Sequence, residues 1–127
     1  MAQKQQKQEN SDLAAIMEIA RKEVEAELIS RFGADKMQEY RAMFKRKLPV
    51  IKIEDKIALL RPIGAEEIAQ FSMLMVTESL NAACRYIMQE LWLDGDTIIL
   101  DDEEYFMAAM LQVQKIAEVK KSTFYLV

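Results

Sequence analysis

Histidine is missing from this sequence, and cysteine, proline and glycine are scarce. The 127 residues contain no histidine, a single cysteine (Cys84), two prolines and three glycines. Without histidine, the usual zinc sites and catalytic triads lack a component, and one cysteine excludes a disulfide within the chain. Three scattered glycines cannot form a glycine-rich phosphate loop. We therefore predict a protein that is not an enzyme, with no catalytic residues, metal ligands or cofactor.

Long apolar runs are also lacking. The longest uninterrupted ones, such as Met73–Val76, are far shorter than the roughly 20 residues that a transmembrane helix needs. The N-terminal sequence MAQKQQKQENSD has no apolar signal core. Together with the single cysteine, which suits a reducing compartment, these features predict a cytoplasmic protein that makes no membrane contact.

Charge is segregated along the chain. The net charge is −4, yet basic residues dominate from Arg41 to Arg61 and acidic residues dominate from Glu90 to Glu104. A pI near 5.0 and an acidic C-terminal half make nucleic-acid binding an unfavoured reading. The segregated charges favour a homo-oligomer that salt weakens, and a solvated surface with no partner is the alternative.

Composition and periodicity predict a single domain of the α+β class, mainly α. Residues 1–10 are rich in glutamine and lysine without apolar periodicity, so we expect a disordered arm there and a single helical domain with a hairpin over residues 11–127. Residues 50–60 alternate between apolar and polar around a polar turn, which predicts a β-hairpin. Its free edge is a second route to self-association.

The stretch between Gly64 and Gly95 predicts a long helix over residues 65–91. About four helices are expected in all, and the others pack around this one. Apolar residues form two stripes along it, whereas a surface helix needs only one. The helix is thus expected to be the central post of the domain or to reserve one face for a partner. The stripes comprise Ile68, Phe71, Met75, Ala82 and Tyr86 on one side, and Met73, Val76, Leu80, Ala83, Ile87 and Leu91 on the other.

The segment after this helix, DGDTIILDDEE, is similar to a calcium loop in its spaced carboxylates. The spacing fails, however, because Ile98 and Leu100 occupy ligand positions and Tyr105 stands where a bidentate glutamate is required. We expect a structural turn instead, followed by a last helix that Asp101 caps.

From about Ile51 to Lys121 the order of motifs resembles small tail assembly chaperone-like proteins of bacteriophages. The shared features are a hairpin, an Arg61-Pro62 step, a long helix, the sequence LWLDGD, and acidic residues that open an alanine- and glutamine-bearing helix. The chain departs from that pattern in Ile63, where a second proline is expected, and in two additional helices before the hairpin. The resemblance implies a non-enzymatic helper that binds an apolar, helical tape-measure-type protein in the host cytoplasm.

Nine methionines are consistent with a protein-binding surface, because the flexible thioether adapts to varied helical partners. The alternative is that they fill the core. Two other functions stay open: a structural subunit that remains in the virion as a head, connector or tail component, and a helical adaptor. The candidate partner-binding residues are Met73, Met75, Tyr86, Trp92, Phe106 and Met110.

Overall fold

The computed structural model describes residues 2–118 and 123–127, with the backbone alone for residues 2–6. The described residues form a mainly helical structure with a small antiparallel sheet, as the α+β prediction required, but they contain six helices where about four were predicted. The chain divides into two compact units, 1–45 and 46–127, where the sequence predicted one domain. The elements are α1 (Ala2–Phe32), α2 (Ala34–Met43), β1 (Val50–Ile53), β2 (Lys56–Leu60), α3 (Ala65–Thr77), α4 (Leu80–Leu91), β3 (Trp92–Gly95), α5 (Ile98–Asp101) and α6 (Glu103–Ile116).

The first unit consists of α1 and α2. Residues 2–10 belong to α1, where we expected a disordered arm. Glutamine, lysine and glutamate are good helix formers, so a segment without apolar periodicity still propagates a helix, and Gln8 donates a hydrogen bond to Asp12 one turn later (3.2 Å). Gly33 ends α1 at a φ of 92°, a backbone conformation that favours glycine. In this unit Leu28 and Met37 are buried.

The sheet of the second unit has the order β1-β2-β3, with both pairings antiparallel. The predicted hairpin is confirmed as β1 and β2, joined by Glu54 and Asp55. Its register pairs Ile51 with Ala58. β2 is buried on both faces of the sheet. Ile57 and Leu59 point to one face and Ala58 and Leu60 to the other, and all four are inaccessible to water. β3 was not predicted.

The predicted helix over residues 65–91 is wrong in one respect: it is two helices, α3 and α4, which break at Glu78 and Ser79. Ser79 Oγ accepts a hydrogen bond from the backbone N–H of Ala82 (3.0 Å) and so caps α4. Arg61 contacts Glu67 in the first turn of α3 and Glu90 in the last turn of α4. The helices therefore run antiparallel as a helical hairpin, and the two predicted apolar stripes are each divided between its arms.

The core of the second unit lies between this helical hairpin, the sheet and α6. α4 contributes the most to it, through residues that are fully buried. α5 is a short helix that inserts Ile99 into the same core. The core side chains are Ile51, Ala58, Leu60, Ile63, Phe71, Ala83, Cys84, Ile87, Met88, Leu91, Ile99, Phe106, Ala109 and Val113.

α6 begins one residue later than predicted. Its cap is Asp102 rather than Asp101: Asp102 Oδ1 accepts hydrogen bonds from the backbone N–H groups of Glu104 (2.9 Å) and Tyr105 (3.2 Å). Asp101 instead ends α5, so the two helices meet without a loop. None of the helices in the described part of the chain combines enough length with enough apolarity to cross a bilayer.

Candidate protein-binding surfaces

A polar cluster closes the base of the α3–α4 hairpin. Arg61, which follows β2, places Nη1 2.5 Å from Glu67 Oε1 and Nη2 3.4 Å from Glu90 Oε1. The backbone N–H of Arg61 donates to the carbonyl of Leu91 (2.8 Å), which joins the end of β2 to the end of α4. Arg61 thus holds the strand and both helices together.

Electrostatics in this cluster follow from the same contacts. The hydrogen bond from Arg61 lowers the pKa of Glu67, although burial opposes the shift. Burial raises the pKa of Tyr86, and the nearby carboxylates of Glu90 and Glu67 raise it further. Glu67 and Glu90 are both paired with Arg61, so the two carboxylates more than compensate its positive charge at the edge of the core. This arrangement is that of a structural clamp, with the carboxylates committed to Arg61.

The acidic segment after α4 also serves the sheet. Asp96 Oδ2 accepts a hydrogen bond from the N–H of Ile57 (2.9 Å), and the Asp96 N–H donates to the Ile57 carbonyl (2.8 Å). Gly95 has a φ of 138°, and a Cβ there would lie 2.4 Å from the Ile57 oxygen. Within the described residues, histidine, cysteine, aspartate and glutamate side chains form no group of three that could hold a metal ion.

Cys84 faces the interior of the second unit from the middle of α4. It is fully buried, and burial raises the pKa of its thiol, so the thiolate is disfavoured. A thiol that is inaccessible and protonated is a poor nucleophile. Its contribution is to packing.

A shallow, open cleft of about 180 Å³ is lined by Arg46, Lys47, Pro49, Pro62, Ile63 and Ile116. Arg46 is held there by a hydrogen bond to the Ile63 carbonyl. The cleft is smaller than the roughly 300–1,000 Å³ that is usual for small-molecule and cofactor sites. Its size suits one or two side chains of a partner.

The structure does not bring the six predicted partner-binding residues to one place. Met73 and Met75 are exposed on the last turns of α3, and Met110 is half-buried on α6. Tyr86 and Trp92 are also half-buried, the former beside Arg61 and the latter in β3. These assignments stay predictions.

Phe106 differs from the other five candidates because it is buried. The guanidinium of Arg85 lies over its ring, 4.1 Å from the centroid, and Arg85 Nη1 donates to the Leu100 carbonyl (3.2 Å). This cation–π contact fixes α4 to α6. A partner could reach the Phe106 ring only if Arg85 moved away.

Other exposed apolar residues were not among the candidates. On α3, Val76 is 87% exposed beside Met73 (58%) and Met75 (47%). On α6, Met107 and Leu111 lie one turn apart and are both exposed. Helical spacing marked Met73, Met75 and Val76 as apolar stripe positions but gave no signal of which stripe would be exposed. Met73 and Val76 lie on one side of α3 and Met75 on the other, so these three surround the end of the helix. We call them the α3 patch, and Met107 and Leu111 the α6 patch.

α1 carries another exposed apolar surface. Leu13, Ile16, Met17 and Ile19 are each more than half exposed. Comparison with protein-family models, curated proteins and solved structures found no match for the chain. Functional inference therefore depends on these surfaces and on the resemblance of motif order.

Proposed function

We propose that this protein is a non-enzymatic assembly factor of the host cytoplasm that binds an apolar helical segment of another protein and keeps it soluble. The observation that carries the proposal is the α3 patch, in which three apolar side chains within four residues of one helix end face water. The resemblance of residues 51–121 to tail assembly chaperones suggests a partner of the tape-measure type. Such a partner is long, helical and apolar.

The chemistry of the α3 patch suits a helical client. Methionine side chains are flexible and polarizable, so Met73 and Met75 can repack against different apolar side chains. An amphipathic helix would dock by packing residues at helical spacing against Met73 and Val76, which lie on the same side of α3. Because burial of methyl and thioether groups drives this contact, its affinity should depend little on salt. A contact through Lys45, Arg46 and Lys47 would instead weaken as salt increases.

Magnitudes indicate that the α3 patch does not act alone. Burying three such side chains stabilises a complex by about 5–9 kcal/mol, whereas association costs about 4–15 kcal/mol in lost translational and rotational freedom. A second contact is needed for a tight complex. The α6 patch offers two further exposed side chains, Met107 and Leu111, with Met110 half-buried beside them.

The polar groups of the second unit support a role without catalysis. Arg61, Glu67 and Glu90 are committed to one another, and Asp96 is bonded to the backbone of β2. Cys84 is buried and its pKa is raised. These groups stabilise the fold. We therefore assign partner binding to the exposed apolar side chains.

The test is co-expression with an aggregation-prone helical fragment of a tape-measure-type protein from the same genome. We expect the fragment to stay in the supernatant with the wild-type protein and to pellet without it. The triple variant Met73→Gln, Met75→Gln, Val76→Gln keeps good helix formers at three exposed positions and should lose this effect. The matched control, Met73→Leu, Met75→Leu, Val76→Ile, retains apolar surface and should keep the fragment soluble.

Three outcomes would contradict part or all of this proposal. If the glutamine variant protects the fragment as well as the leucine and isoleucine control does, the α3 patch is not the client surface. If the fragment pellets in every case and the protein is recovered stoichiometrically in purified particles, the protein is a structural subunit of the virion. A pulldown that recovers an unrelated helical partner, with no effect on tape-measure solubility, would indicate an adaptor.

A further inference from the structure

The accessible sulfur atoms of the second unit belong to methionine rather than to cysteine. Cys84 is fully buried, and burial raises the pKa of its thiol, so an oxidant in solution meets neither an exposed thiol nor a thiolate. Methionine side chains are exposed at Met73 (58%), Met75 (47%) and Met107 (65%). These three are the methionines of the α3 and α6 patches, so the thioethers that we assign to client binding are also ones that an oxidant can reach.

Two other methionines are protected by the fold. Met88 on α4 is fully buried in the core of the second unit, and Met37 on α2 is only 2% exposed. An oxidant must approach the sulfur atom to react with it, so these two thioethers should react slowly while the chain is folded. A mild oxidant therefore changes the surface of the protein and spares the methionines on which packing depends.

The reaction with a peroxide is an oxygen transfer. Hydrogen peroxide gives one oxygen atom to the thioether sulfur, the O–O bond breaks and water leaves, so the sulfur is oxidised to the sulfoxide and the peroxide is reduced. The sulfoxide is polar and binds water, whereas the thioether is apolar. Burying a polar group against an apolar helix without a hydrogen-bond partner is unfavourable. Oxidation of these side chains thus opposes the contact that an apolar client requires.

We propose that Met73, Met75 and Met107 are peroxide-sensitive modification sites and that their conversion to the sulfoxide releases the client helix. The release rests on the proposed function, whereas the sites rest on exposure alone. The fold survives the modification because all three side chains extend into water. Two methionine sulfoxide reductases, one for each sulfoxide epimer, reverse it with electrons from a dithiol, which is oxidised to a disulfide as water is released.

Peptide mass spectrometry after treatment of the full chain with hydrogen peroxide tests the sites. In the folded protein, Met73, Met75 and Met107 should be oxidised at least about tenfold faster than Met37 and Met88. In urea all five should react at similar rates, which controls for the intrinsic reactivity of each thioether. Equal rates in the folded protein would overturn the assignment of the sites.

Light scattering tests the release of the client. The aggregation-prone tape-measure fragment is diluted from urea into untreated protein, or into protein that was oxidised and then freed of peroxide, so the fragment itself is never oxidised. Oxidation should raise the protein concentration that suppresses aggregation at least about tenfold. Treatment with both sulfoxide reductases and dithiothreitol should restore the original value, and the far-ultraviolet circular dichroism should stay unchanged throughout.

Two leucine variants locate the effect, since leucine is close to methionine in volume and contains no sulfur. Met73→Leu, Met75→Leu, Met107→Leu should suppress aggregation equally well before and after peroxide treatment. Met17→Leu, Met43→Leu is the matched control, because Met17 (63%) and Met43 (64%) are exposed in the first unit, outside both patches. This control should remain as sensitive to peroxide as the wild type.

The outcomes separate this inference from the proposed function. If the untreated and the oxidised protein suppress aggregation equally well, sulfoxides do not release the client, and the proposed function stands. If the untreated protein gives no protection, the proposed function is wrong and the release is wrong with it, while the mass spectra still decide the sites. Resistance to peroxide in the Met17 and Met43 variant, or a loss of helical signal on oxidation, would overturn a release that acts through the two patches.

Discussion

α4 and α1 both carry apolar residues at helical spacing, yet α4 is buried and most of α1 is exposed. In α4, Ala83, Cys84, Ile87, Met88 and Leu91 are inaccessible to water. Along α1 the side chains from Lys7 to Glu23 are all exposed. A stripe therefore identifies a face that is suited to burial. Whether it is buried depends on what the rest of the chain, or another chain, brings to it.

The largest effect is expected from a charged residue placed in the buried helix α4. Ile87→Asp would place an unpaired charge in the core of the second unit, and we expect a loss of more than about 4 kcal/mol, enough to unfold it. Ile19→Asp on α1 should change the free energy of unfolding by less than about 0.5 kcal/mol. Urea denaturation followed by circular dichroism measures both. Similar losses for the two variants would mean that α1 is as tightly packed as α4.

Glycines provide the second test. Gly95→Ala should cost about 2–4 kcal/mol, because an L residue is strained at its φ of 138° and the new Cβ would displace the Ile57 carbonyl. Gly33→Ala, at a φ of 92°, meets no atom within 4 Å and should cost about 1–2 kcal/mol from backbone strain alone. Thermal unfolding of both variants gives the difference. If Gly33→Ala lowers the melting temperature more than Gly95→Ala does, Gly95 is not crowded by the Ile57 carbonyl.

The smallest expected effect compares two arginine networks. Glu67→Gln weakens the contact with Arg61 and should cost about 1 kcal/mol at pH 7, since the Arg61 side chain is partly exposed and screened. Because the folded pKa of Glu67 lies below its ordinary value of 4.5, its contribution is complete above pH 4.5 and decreases as the pH falls through the folded pKa. The variant should thus approach the wild type in acid.

Arg21→Gln is the matched variant in the first unit. Arg21 contacts Glu18 and Glu25, and these carboxylates raise its pKa, but all three side chains are well exposed. Its melting temperature should equal that of the wild type at each pH tested. Denaturation at pH 3, 5 and 7 covers both networks. If the stability difference between Glu67→Gln and the wild type grew as the pH fell, the folded protein would not stabilise the charged form of the Glu67 carboxylate.

Some local features of the fold could be predicted from the sequence, and others were missed. The hairpin over residues 50–60 is encoded by its own alternation and polar turn, so β1 and β2 are confirmed. The break at Glu78 and Ser79 was missed because two stripes on one helix give the same periodicity as two helices that face each other. Ser79 was the available signal, as a residue that favours helix N-caps.

Nonlocal features could not be predicted in this way. β3 is a strand because Trp92 and Gly95 pair with β2, about 35 residues earlier, and no pattern within four residues encodes that pairing. For the candidate surface, the sequence listed Met73 and Met75, which are exposed, together with Phe106, which is buried. Exposure depends on which neighbours arrive, and a single sequence gives little information about that.

The hydrogen bond from the Arg61 N–H to the Leu91 carbonyl joins the two ends of the segment that contains α3 and α4. The chain therefore leaves the sheet after β2 and returns to it at β3 at the same place. The segment between these two residues is closed at its base, so its far end can change in length without moving the ends that join the sheet. Insertions at Glu78 and Ser79, in whole helical turns on both arms, would lengthen the hairpin while leaving its anchored end and the sheet register intact. The end that carries the α3 patch is therefore the part of this fold that is freest to diverge in length.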